Sequence, residues 1–311
     1  MALKHSADRR TLVVVASYFV VLAGALSLPL TWSLTPLFVA GLSLISFICA
    51  VITHNTIHAP IFTSREANRA MQVVLTLTYG HPVSAFVPGH NLSHHRHTQS
   101  DQDLMRTSKL RYRWNFLNQL LFAWTVGPTI FSANLRFAKR MRTRRPKWFR
   151  QLILEAVILV VMMGAILIYD PLKFLLFVMI PHQYAAWGIM GINFVQHDGC
   201  DPESKYNHSR NFVGPWVNWI TFNNGYHGIH HMYPSMHWSL LPDAHARLLA
   251  PHIHPQLDQP NIALYLWRAF GWPGRRTTFD GQPYEPKPAG PDREWIPGER
   301  ELSQEDLGAA A

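Results

Sequence analysis

The run TLVVVASYFVVLAGALSLPL, residues 11–30, and the run LTPLFVAGLSLISFICAVIT, residues 34–53, contain no charged side chain. Each matches the roughly 20 residues that a helix needs to cross a bilayer. Residues 152–169 and 174–196 form a second pair of apolar runs, in which Glu155 is the one acidic residue. The sequence therefore predicts an all-α integral membrane protein with four transmembrane helices in two hairpins.

The composition agrees with a membrane protein. Hydrophobic residues make up 48% of the 311 residues and charged residues only 15%, which is a low charge content for a soluble enzyme of this size. A cleavable signal peptide is the alternative for residues 11–30, because a basic start precedes the run and small residues lie within it. The second apolar run follows almost at once, which favours a membrane hairpin.

Basic residues indicate how the spans are oriented. Residues 136–150 carry eight Arg or Lys and no acid, whereas the linkers 31–33 and 170–173 carry no net charge. Because cytoplasmic loops are enriched in Lys and Arg, we expect a multi-pass protein with both termini in the cytoplasm, in a bacterial inner membrane. Residues 70–88 and 116–134, between the hairpins, are predicted to lie in the membrane interface.

Histidines form three clusters just outside the apolar runs. Spacings of one, three and four residues bring imidazoles to one side of a helix or turn, where several can reach the same metal ion. The clusters and one isolated histidine give nine candidate ligands: His54, His58, His90, His94, His95, His197, His227, His230 and His231. Nine ligands are more than one transition metal holds, but they suit two ions with four or five each. With four spans, all of them face the cytoplasm.

The spacing within each cluster adds detail to this prediction. Adjacent histidines cannot point the same way on a helix, so His94 and His95 are expected to serve different ions or one of them to bridge inward. If the second span continues beyond the membrane boundary, His54 and His58 lie on one face of its end. The isolated His197 ends the fourth span.

Other polar residues are candidates for supporting roles. Asn193 lies four residues before His197 and is a possible weak or water-mediated ligand. His182 is predicted to bond within the helix bundle, whereas the roles of His97 and His208 stay open. Metal-bound histidines need a hydrogen bond at their second ring nitrogen, and the nearby candidates are Asn91, Asp101, Asp103, Asp198, Asn223 and Asn224. Two cysteines alone provide no disulfide framework and no cysteine-based metal site.

The ordered set HNTIH, HNLSHH, NFVQH and HGIHH resembles the histidine boxes of the membrane fatty acid desaturase family, over roughly residues 12–242. The resemblance implies a four-span fold, a cytosolic helical cap that holds the boxes, and a non-haem di-iron centre with the nine histidines as ligands. The superfamily also includes membrane hydroxylases and carotenoid ketolases. The first two boxes each have three residues between their first two histidines, whereas many acyl-coenzyme A desaturases have four and two. This departure weakens any transfer of the substrate type from the family.

The expected function is that of an oxygen-dependent di-iron lipid oxidoreductase, foremost a fatty acyl desaturase that introduces a C=C bond into a long chain. Two Fe ions and O2 are required because no side chain can remove hydrogen from an unactivated methylene. The sequence has no flavin or nicotinamide fingerprint and no haem domain, so the electrons come from a ferredoxin or a b-type cytochrome with its reductase. No catalytic residue separate from the metal ligands and no nucleic-acid partner is predicted.

Several alternatives remain at this stage. Lipid or carotenoid hydroxylation or ketolation, and oxidative fatty acid decarboxylation, would use the same site. A divalent metal transporter would need ionisable residues along its spans, and apart from His182 and Glu155 the spans lack them. A zinc hydrolase would need an open metal position and a carboxylate base, and no His-Glu-x-x-His motif is present.

The domain organisation is predicted to be simple. Residues 1–273 are expected to form one membrane domain that contains every histidine box. Residues 274–311 are rich in proline and acidic side chains, a composition typical of a loosely ordered tail.

Overall fold

The computed structural model describes residues 2–272, 274–293, 295, 302–303 and 306–308. Over these residues the chain is mostly helical, and a two-residue parallel pair is its only sheet. The prediction of an all-α fold is confirmed. The α-helices are α1 (Asp8–Ser27), α2 (Leu34–His58), α3 (Arg65–Tyr79), α4 (Asn115–Arg144), α5 (Pro146–Tyr169), α6 (Pro171–Phe174), α7 (Ile180–His197), α8 (Pro215–Ile220), α9 (His227–Met232), α10 (Leu241–Ala244) and α11 (Ile262–Phe270), and the strands are β1 (Asn211–Phe212) and β2 (Asp258–Gln259).

Four helical stretches among the described residues are long and apolar enough to cross a membrane. They are α1, α2, α5 and the continuous stretch Pro171–His197, which joins α6 to α7 through a π-helical segment. From Ile153 onward α5 exposes large apolar side chains, as on Val157, Val160 and Val161, and such a surface suits contact with lipid. The predicted set of four apolar spans is confirmed, while their arrangement as two hairpins and the cytosolic cap stay predictions.

By its contacts the chain divides into two compact units. The first unit consists of Met1–Val87, Ala138–Ile189 and Leu302–Ala311, and the second unit of Pro88–Phe137 and Met190–Glu301. Each unit has its own buried apolar residues. The prediction of a single membrane domain over residues 1–273 stays a prediction.

In the first unit, α2 packs against α1 and α3, and α3 also packs against α5. His182 bonds within this bundle, as predicted, because its Nε2 lies 2.9 Å from the Tyr18 hydroxyl. Gly80 ends α3 with a φ of 83°, and a side chain there would lie 2.4 Å from His182 Nδ1. Only glycine combines this left-handed conformation with so close an approach.

The one acidic residue of α5 is hydrogen-bonded inside the first unit. Glu155 is buried and accepts hydrogen bonds from the Ser84 backbone N–H at 2.8 Å and the Ser84 hydroxyl at 3.1 Å. Gln151 Nε2 donates to the same carboxyl group at 2.9 Å. These three donors explain how an apolar span accommodates a carboxyl group.

In the second unit, two apolar clusters position the elements that carry histidines. One cluster contains Phe122, Phe194 and Phe212, which hold the end of α7 against β1. The other contains Ile229 of α9 with Leu241 and neighbouring aliphatic residues. A turn with positive φ at Phe222 and Asn223 precedes α9, so the chain reverses tightly just before the third histidine box.

Part of the predicted C-terminal tail packs within the second unit. Arg276 is buried, forms an ion pair with Asp198, and donates hydrogen bonds to the carbonyls of Leu110 at 2.7 Å and Thr107 at 3.0 Å. The prediction that residues 274–311 are loosely ordered stays a prediction. Most of its acidic portion, residues 294, 296–301, 304–305 and 309–311, lies outside the described residues.

Candidate metal centre

The second histidine box has a conformation that its sequence did not reveal. Residues Pro88–His95 form a π-helix in which His90 and His94 are buried and His95 is partly buried. A π-helix closes its hydrogen bonds five residues apart instead of four. His90 and His95 therefore meet on one side, with their Nε2 atoms 3.0 Å apart.

Four histidines of the second unit form the first of two groups, called here the four-histidine group. They are His94 from the π-helix, His197 from the end of α7, and His227 and His231 from α9. One ligand nitrogen of each lies within 4.8 Å of those of the others. His227 Nε2 lies 2.9 Å from His197 Nε2 and 3.1 Å from His231 Nε2.

Three further histidines of the second unit form the three-histidine group: His90, His95 and His230. His95 Nε2 lies 3.0 Å from His90 Nε2 and 3.2 Å from His230 Nε2. The adjacent residues His94 and His95 therefore belong to different groups. The adjacent pair of the third box divides in the same way, because α9 turns His230 and His231 to different sides.

The first histidine box lies in the first unit. As expected, α2 continues beyond the apolar run and ends at His58. The rings of His54 and His58, one helical turn apart, have centroids 5.5 Å from each other. His54 is buried, and its Nδ1 lies 3.2 Å from Asn55 Oδ1. Their assignment as metal ligands stays a prediction.

His94 provides the test of whether the four-histidine group fits a metal ion. Its Nδ1 lies 2.9 Å from Asp103 Oδ2, and both side chains are fully buried. Its Nε2 is also buried and has no hydrogen-bond partner in the described part of the chain. A buried imidazole nitrogen without a partner is costly, whereas a metal ion beside it would use the lone pair. The donor set therefore fits a metal ion.

Asp103 holds His94 in the tautomer that a metal requires. Burial alone would raise the pKa of Asp103, but His94 and the backbone N–H groups of Gln99 and Met105 outweigh burial and lower it. An ionised Asp103 can only accept a hydrogen bond, so Nδ1 of His94 carries the proton and we assign the lone pair to Nε2. Carboxylate–histidine pairs of this kind orient ligands in many metal sites.

Two other members of the four-histidine group can also act as neutral ligands. His197 Nδ1 donates to the His208 carbonyl at 3.2 Å, which leaves the Nε2 lone pair to face His227. Burial, followed by the neighbouring His227, His197, His94 and His208, lowers the pKa of His231 well below its ordinary value. A neutral imidazole is the form that binds metals, so His231 stays available to a metal in mildly acidic solution.

The remaining predicted residues have different surroundings. Asn193 is buried, and its side-chain nitrogen has no hydrogen-bond partner within the described residues, so its role as a weak ligand stays a prediction. His97 belongs to neither group, and Asp101 pairs with Arg293 at 3.3 Å. Asp198 follows His197 but bonds to Arg276 instead of a histidine.

Two hydrogen-bond partners of the predicted metal ligands were not expected from the sequence. The carbonyl of His208 accepts from His197, and the Thr98 hydroxyl lies 3.5 Å from His231 Nδ1. Every residue has a carbonyl, so nothing in the sequence could single out that of His208. The side chain of His208 lies nearby, with its ring centroid 5.7 Å from that of His231, and burial lowers its pKa to about 4.

A comparison with protein-family models matches residues 27–259 to the model described as Fatty acid desaturase. The matched range includes all nine predicted ligands. Searches among curated proteins and among solved structures give no match.

Proposed function

Because the chain belongs to the fatty acid desaturase family, we propose that it is an O2-dependent membrane oxidoreductase that introduces a C=C bond into a long acyl chain. Family membership implies an oxidoreductase, and the histidine groups can hold a metal ion. The observation that carries the proposal is the convergence of four imidazole nitrogens in the second unit, where the buried Nε2 of His94 has no hydrogen-bond partner among the described residues.

The cofactor we propose is a pair of non-haem iron ions. The four-histidine group would hold one ion and the three-histidine group would contribute to holding the second. The assignment of His54 and His58 as metal ligands stays a prediction. Imidazole ligands suit iron, copper and zinc alike, but zinc has no accessible redox change. Bound iron would supply the activation of O2 that hydrogen removal from a methylene requires.

The chain's own residues prepare the site for this chemistry. Asp103 fixes the ring of His94, and the carbonyl of His208 fixes that of His197. His94, His197 and His227 are each at least 97% buried, so bulk water is kept from their ligand nitrogens. Exclusion of water strengthens the electrostatic interactions within a site and limits side reactions.

The balanced reaction requires an external reductant. Converting CH2–CH2 to CH=CH releases two hydrogen atoms, and reducing O2 to two water molecules takes these two and two more electrons with two protons. We propose a ferredoxin or a b-type cytochrome with its reductase as donor, because the sequence has no flavin, nicotinamide or haem motif. A membrane lipid or another long-chain acyl carrier is the proposed substrate.

We also propose that the histidine boxes and both termini face the cytoplasm of a bacterial inner membrane. The support is the basic stretch of residues 136–150, in which Arg142, Arg144, Arg145 and Lys147 are exposed. Such stretches remain on the cytoplasmic side during insertion.

The test is mass analysis of total lipids from cells that express the protein. We expect an acyl product lighter by two hydrogen atoms, present with the wild-type chain and absent with His230→Ala. The matched control is His252→Ala, which removes an exposed histidine outside both groups. A product heavier by one oxygen atom would indicate hydroxylation instead of desaturation. An unchanged lipid profile would contradict both reactions.

A further inference from the structure

A cavity of about 390 Å³ lies in the first unit between the first turns of α3 and α5. Each helix lines it with one face, at positions spaced three and four residues apart. The residues that matter here are Glu66, Arg69 and Ala70 from α3 and Lys147, Arg150 and Gln151 from α5. None of them is a predicted metal ligand, so the proposed oxidation does not account for the cavity.

The cavity carries uncompensated positive charge. Three cationic side chains, Arg69, Lys147 and Arg150, line it against one carboxylate. That carboxylate, Glu66, is 81% exposed and lies 3.1 Å from Arg69 Nη1. Within the described residues, Lys147 and Arg150 form no ion pair, and the buried Nε of Arg69 has no hydrogen-bond partner. A bound anion would accept a hydrogen bond from the unused N–H donor and would pair with the two cations.

The floor of the cavity is fixed before any ligand binds. Gln151 Nε2 donates to the Arg69 carbonyl at 3.1 Å and to Glu155 Oε1 at 2.9 Å. The first of these hydrogen bonds ties α5 to α3 beside the cationic side chains, and the second holds the Gln151 side chain within α5. The short side chain of Ala70 leaves the space open. A site whose walls are already held in place loses less conformational entropy when it binds a ligand.

An apolar strip on α5 leads away from the cavity. Leu154 lines the cavity and is 47% exposed, and Val157 and Val161 follow on the same face with 52% and 65% exposure. This helix is one of the four candidate membrane spans. The combination of a cationic cavity at the start of a span with an exposed apolar strip along it matches the shape of a phospholipid, with a charged headgroup and an acyl chain.

We propose that this cavity binds a phosphate group through Arg69, Lys147 and Arg150, and that an anionic membrane phospholipid supplies it. Arginine matches phosphate oxygens with its fork of N–H donors, and lysine adds a compact charge. The site is separate from the proposed oxidation and does not depend on it. Its ligand is a resident lipid that binds where the span enters the membrane.

The test measures ligand-dependent thermal stabilisation of the purified full-length protein in detergent. Short-chain phosphatidylglycerol, phosphatidylcholine and inorganic phosphate are titrated separately. We expect phosphatidylglycerol to raise Tm at the lowest concentration. Lys147→Gln/Arg150→Gln should raise its half-maximal concentration roughly 30-fold, since each of the two basic residues contributes on the order of 1 kcal/mol near an anionic lipid and about 1.4 kcal/mol corresponds to a factor of ten. The matched control, Arg142→Gln/Arg144→Gln, removes the same charge from the same basic segment outside the cavity.

A second variant tests the cavity itself. Ala70→Leu keeps every charge but fills the space, and we expect it to weaken phosphatidylglycerol binding as the double variant does. Equal weakening in the control would mean diffuse attraction and overturn the site, as would stabilisation that none of the variants changes or no stabilisation at all. Inorganic phosphate acting as well as phosphatidylglycerol would overturn the lipid assignment.

Discussion

Asp103 decides which nitrogen of His94 is available to a metal ion. The carboxylate accepts a hydrogen bond from Nδ1–H of His94, and it also accepts hydrogen bonds from the backbone N–H groups of Gln99 at 2.8 Å and Met105 at 2.7 Å. The backbone around Asp103 therefore orients a ligand that it does not touch. A small displacement of this loop would misplace the lone pair of His94, although the histidine itself would be unchanged.

We predict that Asp103→Asn lowers metal affinity roughly 10- to 100-fold, the range observed when such supporting carboxylates are removed. The amide oxygen lacks the negative charge of the carboxylate and therefore accepts a weaker hydrogen bond from Nδ1–H of His94. The measurement is the fraction of metal retained against a competing chelator. Asp101→Asn is the matched control, because that carboxylate is 44% exposed and pairs with Arg293. Equal retention in the two variants would refute the role of Asp103.

His81 provides a prediction about pH. Burial lowers the pKa of His81, so the folded protein keeps this side chain neutral. As pH falls below about 6.5, the unfolded chain takes up the proton first, and the free energy of unfolding decreases. We expect His81→Gln to reduce the loss of Tm between about pH 7 and pH 5. The exposed His252→Gln is the control, and parallel pH profiles for wild type and His81→Gln would contradict the prediction.

At the scale of residues, the sequence identified the candidate ligands but not their supporting partners. Histidine spacing is a local property, so the clusters could be recognised directly. Asp101 and Asp103 both follow His94 closely in sequence, and only the fold shows that Asp103 is buried against it. Asp198 was another candidate partner, but it bonds to Arg276, which is 78 residues away.

The π-helix of the second histidine box determines which of its histidines belongs to which of the two groups. In an α-helix, His90 would meet His94, four residues later, more closely than His95. In the observed π-helix, His90 and His95 meet, while His94 joins a different group. The hydrophobic pattern of eight residues cannot distinguish these helices, because packing determines where the extra residue is accommodated. This part of the site was therefore not predictable.

Ser93 links the π-helix to the loop that contains Asp103. Its hydroxyl donates to the Gln102 carbonyl at 2.9 Å and accepts from the Leu104 backbone N–H at 2.9 Å. We predict that Ser93→Ala lowers the free energy of unfolding by about 1–3 kcal/mol, because two backbone groups lose a partner. Denaturation in detergent measures this loss. The exposed Ser235→Ala should change little, and equal stability of the two variants would contradict the prediction.

The membrane spans were the most predictable elements. A run of about 20 apolar residues without charge is a local signal, and each predicted run coincides with a helix of the structure. The ends were less predictable, because α2 extends to His58 and α5 begins at Pro146, within the basic stretch. Helix ends depend on capping and packing, and the pattern of apolar residues does not predict either of them.

At the scale of the whole molecule, the even number of spans leads to a prediction of topology. The loop at Trp32 should face the periplasm and the stretch around Arg142 the cytoplasm. In a Cys200→Ser background, in which Cys49 is buried, we expect a membrane-impermeant maleimide to label Trp32→Cys in intact cells. Arg142→Cys should be labelled only after permeabilisation. Both positions are exposed, and the reverse result would invert the topology.

The fold class and the family could be predicted from the sequence, but the grouping of the ligands could not. His94 shares a group with His197, His227 and His231, which are more than a hundred residues away in sequence. Spacing within a box says which histidines can act together locally. It does not say which boxes meet, because that depends on how the chain folds between them.

The most direct test of the metal centre is the metal content of the purified protein. We expect about two irons per chain, a lower content in His94→Ala, and an unchanged content in His252→Ala. Iron that is retained through purification and changes oxidation state on exposure to a reductant would support the proposed oxidoreductase. Zinc in place of iron, or no tightly held metal, would contradict it.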